Sequence, residues 1–437
     1  MALLRRCFAV LLLLAGLVPA ARAQAPLYFP PRSFAQPWDT IAPAQLGWNQ
    51  VALDSALAYV ERTNARSFIV LHRGRIAVER YFDGHTRDSV WMWASASKTL
   101  TAFLVGIAQQ EGLLSIDDTT SRFLGTGWTS LPPAQERLIT IRHQLTMTTG
   151  LNDTLAPTPQ VPDPDNCLAP ACLQYLAPAG TRWAYHNAPY KLVQNVVAAA
   201  SGQSWQQFTQ TRVKTAIGMG GGWFDTYISR TRDMARFGLL LLARGTWNGT
   251  PLLTDTAYFG QMTRPSQTFN RAYGYLTWLN GQSSYMHPAG QLVFPGPLAP
   301  DAPADLYAAL GKDDQKIYVV PSLGLVVVRQ GEAAAGRLLG PSSFDNELWI
   351  RLMRVLGPTG TADAATANSV ALYPNPATAT VRLSGLTAPA LAFYDATGRL
   401  ARTASRTADG TYDVRGLAPG LYAMRAGGRG VGRLVVE

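Results

Sequence analysis

The chain has 437 residues, 47% of them hydrophobic and 15% charged, with a formal net charge of +10. Arg5, Arg6 and Arg22 carry +3 of that charge and residues 368–437 another +4, so residues 24–367 hold only +3. That central stretch has no basic block, which excludes a nucleic-acid surface built from Lys/Arg clusters, and the length calls for a large domain plus a smaller one.

In chain order, Arg5 and Arg6 precede the apolar run Phe8 to Val18, and Ala21-Arg22-Ala23 is a small-x-small cleavage signal. The pattern predicts a secretory signal over residues 1–23, too short to span a bilayer. No later segment is long and apolar enough to span, so the mature chain is expected to start near Gln24 and to be soluble and exported. Residues 48–63 predict an amphipathic helix with Val51, Leu53, Leu57 and Val60 on its apolar side. Residues 67–72 and 76–82 flank Arg73-Gly74 and predict a hairpin. An apolar helix follows from Ser95, carrying Leu100, Phe103, Leu104 and Ile107, with Gly112 just past its end. Residues 113–215 read as mixed helices and Pro/Gly-rich loops. A further helix is predicted over 228–245, two strands over 316–320 and 323–329, and a closing helix over 344–356. The plan is α+β: an antiparallel sheet with its terminal helices on one face and a helical insertion between.

Residues 357–367 are small and form a linker. Past it, short alternating strands at 370–373, 380–383, 390–394, 412–414 and 421–425 predict a small all-β sandwich over 368–437.

Cys7 leaves with the signal, so Cys167 and Cys172 remain, close together in a Pro-rich loop. In an exported protein such a pair predicts a disulfide. Closing so short a loop gains little entropy, so its role would be local stiffening. No histidine stands near them at ligand spacing, and neither a metal nor a cofactor is expected.

The most informative pair is Ser95 and Lys98 in Trp93-Ala94-Ser95-Ala96-Ser97-Lys98. The chain has five lysines (98, 191, 214, 312 and 316) and uses arginine nearly everywhere else. Arginine keeps its proton at ordinary pH, whereas a desolvated lysine gives it up. A lysine one turn after a helix-starting serine therefore suits a nucleophile and its base. The competing reading is an N-cap serine with a solvated lysine.

Further segments agree with this pair. Leu145-Thr146-Met147-Thr148-Thr149-Gly150 follows the helix, Tyr185-His186-Asn187 supplies a Tyr-x-Asn, and Gly311-Lys312-Asp313 opens the late strands. In this order, over roughly residues 40–356, the chain resembles the serine β-lactamase-like hydrolases: class C β-lactamases, DD-peptidases, family VIII-type esterases and 6-aminohexanoate-dimer hydrolases. Residues 229–238 and Ala272-Tyr273-Gly274-Tyr275 look most like the aminohexanoate-hydrolase and esterase branch. The resemblance implies that Ser95 attacks a carbonyl, Lys98 and Tyr185 share its proton, and Asn187 anchors the site by hydrogen bonds. It also implies an oxyanion site between the Ser95 N–H and an N–H near Gly311–Asp313. Trp93, Trp183 and His186 are expected to line the substrate cleft. The third motif departs from the Lys-Thr-Gly of lactamases and peptidases. Lys312 reads equally as a substrate-carboxylate ligand or as a solvated strand end.

The C-terminal module has its own match. Leu372-Tyr373-Pro374-Asn375-Pro376, Tyr394-Asp395-Ala396-Thr397-Gly398-Arg399 and Gly416-Leu417-Ala418-Pro419-Gly420-Leu421-Tyr422 are similar to the type A sorting domain of the type IX (Por) secretion system of Bacteroidetes. The resemblance implies engagement of that machinery, outer-membrane export to the cell surface or medium, and removal of the module. The functional expectation is a secreted Ser-Lys-Tyr hydrolase of small esters or amides. Its rivals are a peptidoglycan D-peptidase or β-lactamase, and a non-catalytic binding protein of the same fold.

Overall fold

The structure is a computed structural model that describes residues 26–288, 290–334, 341–357, 371–384, 387–395, 399–426 and 429–436. The expected signal over residues 1–23 and residues 358–367 of the expected linker lie outside the described residues. The chain divides into two compact units, the first ending at Gly357.

In the first unit α1 spans Gln50–Arg62, and the Asn49 side chain accepts from the Ala52 N–H to cap its start. Its buried side is Leu53, Ala56 and Val60. Val51 is 81% exposed, a correction to the expected stripe. At 100° per residue it points roughly opposite Leu53 and Val60. β1 (Ala65–His72) and β2 (Arg75–Tyr81) form the expected hairpin. Arg73 and Gly74 both have positive φ, the pattern of the type I′ two-residue turn whose twist matches the flanking strands. A Cβ on Gly74 would also lie 1.8 Å from the Tyr28 carbonyl oxygen. α2 (Ser97–Gln110) is buried from Ser97 to Ala108. A helix buried all round is the centre of its domain rather than a surface element. α3 (Asn187–Ser201) packs on α2 and buries Tyr190, Val193, Val196 and Val197.

α4 covers Thr231–Leu242, not 228–245. Tyr227–Arg230 is a strand instead, paired with Val90–Met92. The Asp233 carboxylate accepts from the Arg230 N–H and starts the helix one residue later.

β3 (Trp278–Leu279), β4 (Tyr307–Gly311), β5 (Gln315–Val320) and β6 (Leu325–Gly331) complete an antiparallel sheet ordered β2-β1-β6-β5-β4-β3. β3 and β4 are absent from the sequence reading. β4 is Tyr-Ala-Ala-Leu-Gly, and alanine and glycine are poor strand markers. Leu323 lies in the turn before β6 rather than in the strand. β5 and β6 are buried on both faces. Gly238 of α4 lies against Ile317 and Val326 on one face. α5 (Ser343–Leu356) covers the other, where Trp349 packs edge-on to Tyr318 and Phe344 stacks on Tyr59 of α1. This two-sided burial explains the unbroken apolar runs Ile317–Val320 and Leu325–Val328 within these strands.

The second unit holds two antiparallel sheets. One orders Ala371–Tyr373, Thr380–Ser384 and Thr411–Asp413. The other orders Leu400–Ser405, Ala390–Tyr394, Gly420–Ala426 and Arg429–Val436. Val381, Leu391, Phe393, Tyr412, Val414 and Met424 share one buried cluster. Residues 396–398 of the sorting-type motif lie outside the described residues. Among the described residues no helix is long and apolar enough to cross a membrane.

Candidate active site

Ser95 sits in the 3-10 turn Ala94–Ala96, which runs directly into α2. Trp93 anchors that turn: it is fully buried, its Nε1 donates to Ser229 Oγ at 2.8 Å, and its backbone N–H donates to the Tyr227 carbonyl at 2.8 Å. Ala94 has φ +47°, a left-handed conformation that a residue bearing Cβ adopts only under constraint. Ser95 does not cap the helix. Its Oγ lies 2.8 Å from Lys98 Nζ, one turn along the same element.

Lys98 is 2% exposed, which removes the solvated-lysine reading. Its Nζ lies 2.7 Å from Asn187 Oδ1, 4.0 Å from the Tyr190 ring centre and 4.8 Å from that of Tyr185. Burial brings its pKa down from 10.5 to about 7, with Asp165 and Asp225 opposing the fall and Lys191 adding to it. Tyr185 lies just before α3, stacked on Trp278 at 5.9 Å and edge-on to Tyr273 at 6.1 Å. Burial raises its phenol pKa well above the ordinary value, while a hydrogen bond with Ser95 works the other way. The two groups beside Ser95 are thus pushed in opposite directions: the amine towards neutrality and the phenol towards keeping its proton.

Asn187 opens α3, and its amide is held from behind. Its Nδ2 donates to Asp165 Oδ2 at 2.5 Å and its backbone N–H to Asp165 Oδ1 at 2.9 Å. A carboxylate only accepts, so the NH₂ group must face Asp165, which leaves Oδ1 for Lys98. Asp165 has no motif around it and is missing from the sequence reading. It sits in the turn Pro164–Asn166, next to the disulfide formed by Cys167 and Cys172. The usable signal was an acidic residue two positions from a stapled cysteine.

Gly311 ends β4 against the nucleophile turn. A Cβ there would lie 2.5 Å from the Trp93 carbonyl oxygen and 3.1 Å from the Ala96 nitrogen. Both are backbone atoms that yield only if the turn moves. Gly311→Ala is expected to destabilise by about 1–3 kcal/mol through overpacking, read as a lower thermal midpoint; an unchanged melt would contradict this close approach. Beyond Gly311, Asp313 and Asp314 both have positive φ, at +57° and +58°. Arg329 holds this turn by donating to the Asp313 and Asp314 carbonyls at 3.3 and 3.0 Å. Below it the buried Lys316 amine bridges Asp314 and Asp345 at 3.1 and 2.9 Å.

A cavity of about 340 Å³ opens on Ser95, with Lys98, Tyr190, Lys191, Phe224 and Lys312 in its walls. Three of the chain's five lysines therefore meet at one site. Lys191 is paired with Asp225 at 2.5 Å, while Lys312 is exposed. Trp93 and Trp183, expected in the cleft, are 0% and 1% exposed and pack in the core. His186 is 2% exposed and lies outside this cavity's walls, with burial lowering its pKa. All three are corrections. Large aromatics next to catalytic motifs fill the core that holds the motif in place, and adjacency in sequence does not tell which side faces the cavity.

The family model for Beta-lactamase matches residues 58–330. A protein of Alkalihalophilus pseudofirmus of uncharacterized activity is 22% identical over 325 residues, 63% of this chain and 88% of its own length. A protein assigned as a 6-aminohexanoate-dimer hydrolase from Bacillus anthracis superposes with TM-score 0.55 and 16% identity, over 74% of this chain and 87% of that one. The hydrolase EstCE1, which has promiscuous acyltransferase activity, superposes with TM-score 0.52 and 14% identity, over 72% and 98%. These structural likenesses establish the fold. Together with a family model that spans most of the first unit, they give one conclusion: the chain belongs to the beta-lactamase family and is a serine hydrolase of that fold.

Proposed function

We propose that this protein is a secreted hydrolase that cleaves small esters or amides through an acyl-enzyme on Ser95, with Lys98 as the base. The observation that carries the reading is the buried Lys98 amine, 2.8 Å from Ser95 Oγ, with a pKa near 7. At neutral pH about half of such amines have a free lone pair.

Ser95 Oγ attacks the substrate carbonyl and its proton passes to Lys98 Nζ. The new oxyanion faces the Ser95 N–H and the backbone at the end of β4. The first N–H groups of a helical segment have no partner within it, which suits that role. Collapse breaks the bond to the leaving group, which takes a proton from the Tyr185 phenol, itself resupplied by the Lys98 ammonium. Water then attacks the acyl-enzyme by the same steps in reverse order and releases the acid. The raised pKa of Tyr185 favours a phenol that donates over a phenolate base.

The exposed Lys312 in the cavity wall supports a second reading, a substrate bearing a carboxylate, such as a D-peptide or a β-lactam. Time-resolved intact mass of the protein and of Ser95→Ala tests both. Each is mixed with a short p-nitrophenyl ester, a linear aminohexanoate dimer and a β-lactam. A transient acyl adduct that requires Ser95 supports the mechanism, and the fastest-clearing substrate identifies the branch. A folded protein that forms no adduct with any of the three would point to a substrate outside these classes or to the binding-protein reading.

The signal-like start and the C-terminal motifs support export through the type IX machinery, with the C-terminal module as the address. Cells are expected to release a form lacking residues 368–437. C-terminal peptides found on the released protein by mass spectrometry would contradict this.

A further inference from the structure

We propose that the acyl chain of the substrate leaves the Ser95 cavity over a saddle of Met92 and Ile228 and continues into a second cavity, so that the enzyme prefers extended apolar acyl groups. The inference rests on the reading of Ser95 as nucleophile and specifies what it acts on. The strands Val90–Met92 and Tyr227–Arg230 pair in a register that sets Met92 directly opposite Ile228. Both residues line the cavity at Ser95, and both also line a neighbouring cavity of about 630 Å³. The two spaces therefore share a wall, and that wall is apolar.

The second cavity continues the same chemistry. Val90 is two residues before Met92 and on the same face of the strand, as the period of two requires. Val90 and Met92 are 59% and 51% exposed, unusual for large apolar side chains with a core available. The uncharged polar groups of Trp91, Gln315 and Gly331 that line the space are already bonded within the protein. The Trp91 Nε1 donates to the Gly331 carbonyl at 3.2 Å, and the Gln315 amide exchanges hydrogen bonds with the Gly331 backbone at 2.5 and 3.1 Å. A lining with satisfied polar groups and exposed apolar ones gains by covering with methylenes, not with a polar ligand. Charge gathers at Asp313 and at Glu332, which pairs with Arg66 at 2.7 Å. An acyl group with a distal carboxylate would meet those acids and be disfavoured.

The arm is assigned to the acyl side by the direction of proton transfer. The proton for the leaving group comes from the side of Lys98, and Lys98 lines the cavity at Ser95 but not the second cavity. The half of the substrate that points into it is the half that stays on Ser95.

The test is a series of p-nitrophenyl acetate, butyrate, hexanoate and octanoate below their aggregation limits, with the full chain, Ser95→Ala, Val90→Asp and Val90→Thr. Each added buried methylene is worth about two- to fourfold in kcat/KM, so octanoate should exceed acetate by at least about tenfold. Val90→Asp should reduce that ratio about tenfold, and Val90→Thr should reduce it partway without changing side-chain shape. A ratio near one, or a gain that survives both Val90 variants, overturns the inference while leaving the hydrolase reading intact. So does a gain that follows the alcohol chain in a series of alkyl acetates. Failure to turn over any ester, or turnover that survives in Ser95→Ala, would instead strike the hydrolase reading itself.

Discussion

Lys98→Arg should lose turnover as completely as Lys98→Ala, by about a thousandfold or more in kcat, within the range that removal of a positioned base produces. Arginine retains the charge and much of the length but cannot give up its proton. It also has no room, with Asn187 Oδ1 at 2.7 Å and the Tyr190 ring at 4.0 Å from the amine. In the wild type kcat/KM should rise with pH through about 7, as the buried amine loses its proton, and then level off. Turnover close to wild type in Lys98→Arg, or a rate independent of pH between 5 and 8, would exclude a neutral lysine as base. The same burial has a cost in stability. In the unfolded chain the amine keeps its proton up to about 10.5, and in the fold only up to about 7. Between these values the unfolded state binds more protons, so this group's contribution to stability grows as pH rises across that window. Lys98→Met should therefore melt at a higher temperature than the wild type at pH 7 while being inactive, the usual trade at a site that holds a desolvated amine for chemistry.

Asp165→Asn should lower kcat by about ten- to a hundredfold and move the acid limb of the pH profile to lower pH. The loss of rate follows from the hydrogen bonds. Asp165 accepts from both the side-chain and the backbone N–H of Asn187. An asparagine there has one accepting atom, so one donor of Asn187 faces an NH₂ group and the amide loses its fixed orientation, at about 1–3 kcal/mol. The amine of Lys98 then loses the oxygen that positions it against Ser95. The shift of the limb follows from charge. The Asp165 carboxylate favours the ammonium form of Lys98, Asp225 acts in the same sense and Lys191 opposes them. Removing the Asp165 charge lowers the Lys98 pKa, so a larger share of amine is neutral at acid pH. A purely structural role would lower the rate without moving the limb, and that result would remove Asp165 from the site. Asp165→Glu keeps the charge and should leave the limb nearer its original position.

The structural neighbours are assigned several different activities, among them those of a 6-aminohexanoate-dimer hydrolase and of a hydrolase with promiscuous acyltransferase activity. The end of β4 and the strand Val90–Met92 border the reacting centre, and neither carries the Lys-Thr-Gly pattern of lactamases and peptidases. On the proposed reading, chain-length preference would be set by Val90, Met92 and Ile228 and tolerance of a substrate carboxylate by Lys312, none of which is the nucleophile or its base.

What the sequence determined by itself is what depends on neighbours within one or two turns. α1, the β1–β2 hairpin, α2 and α5 were legible because helix and strand periods and turn residues act locally. Ser95 and Lys98 were legible for the same reason, since three residues along a helix is one turn. The cysteine pair was readable from its spacing. What only the tertiary structure decided depends on partners far away in the chain. β4 is a strand because β3 and β5 flank it, and Tyr227–Arg230 is one because Val90–Met92 lies beside it. Trp93 and Trp183 turned inward because the core behind the motif needed filling. Asp165 reaches Asn187 across 22 residues, and no periodicity encodes that contact. Hydrogen-bond partners and shared walls are decided by packing, so the residues that orient the base and shape the cleft became visible only when distant elements were brought together.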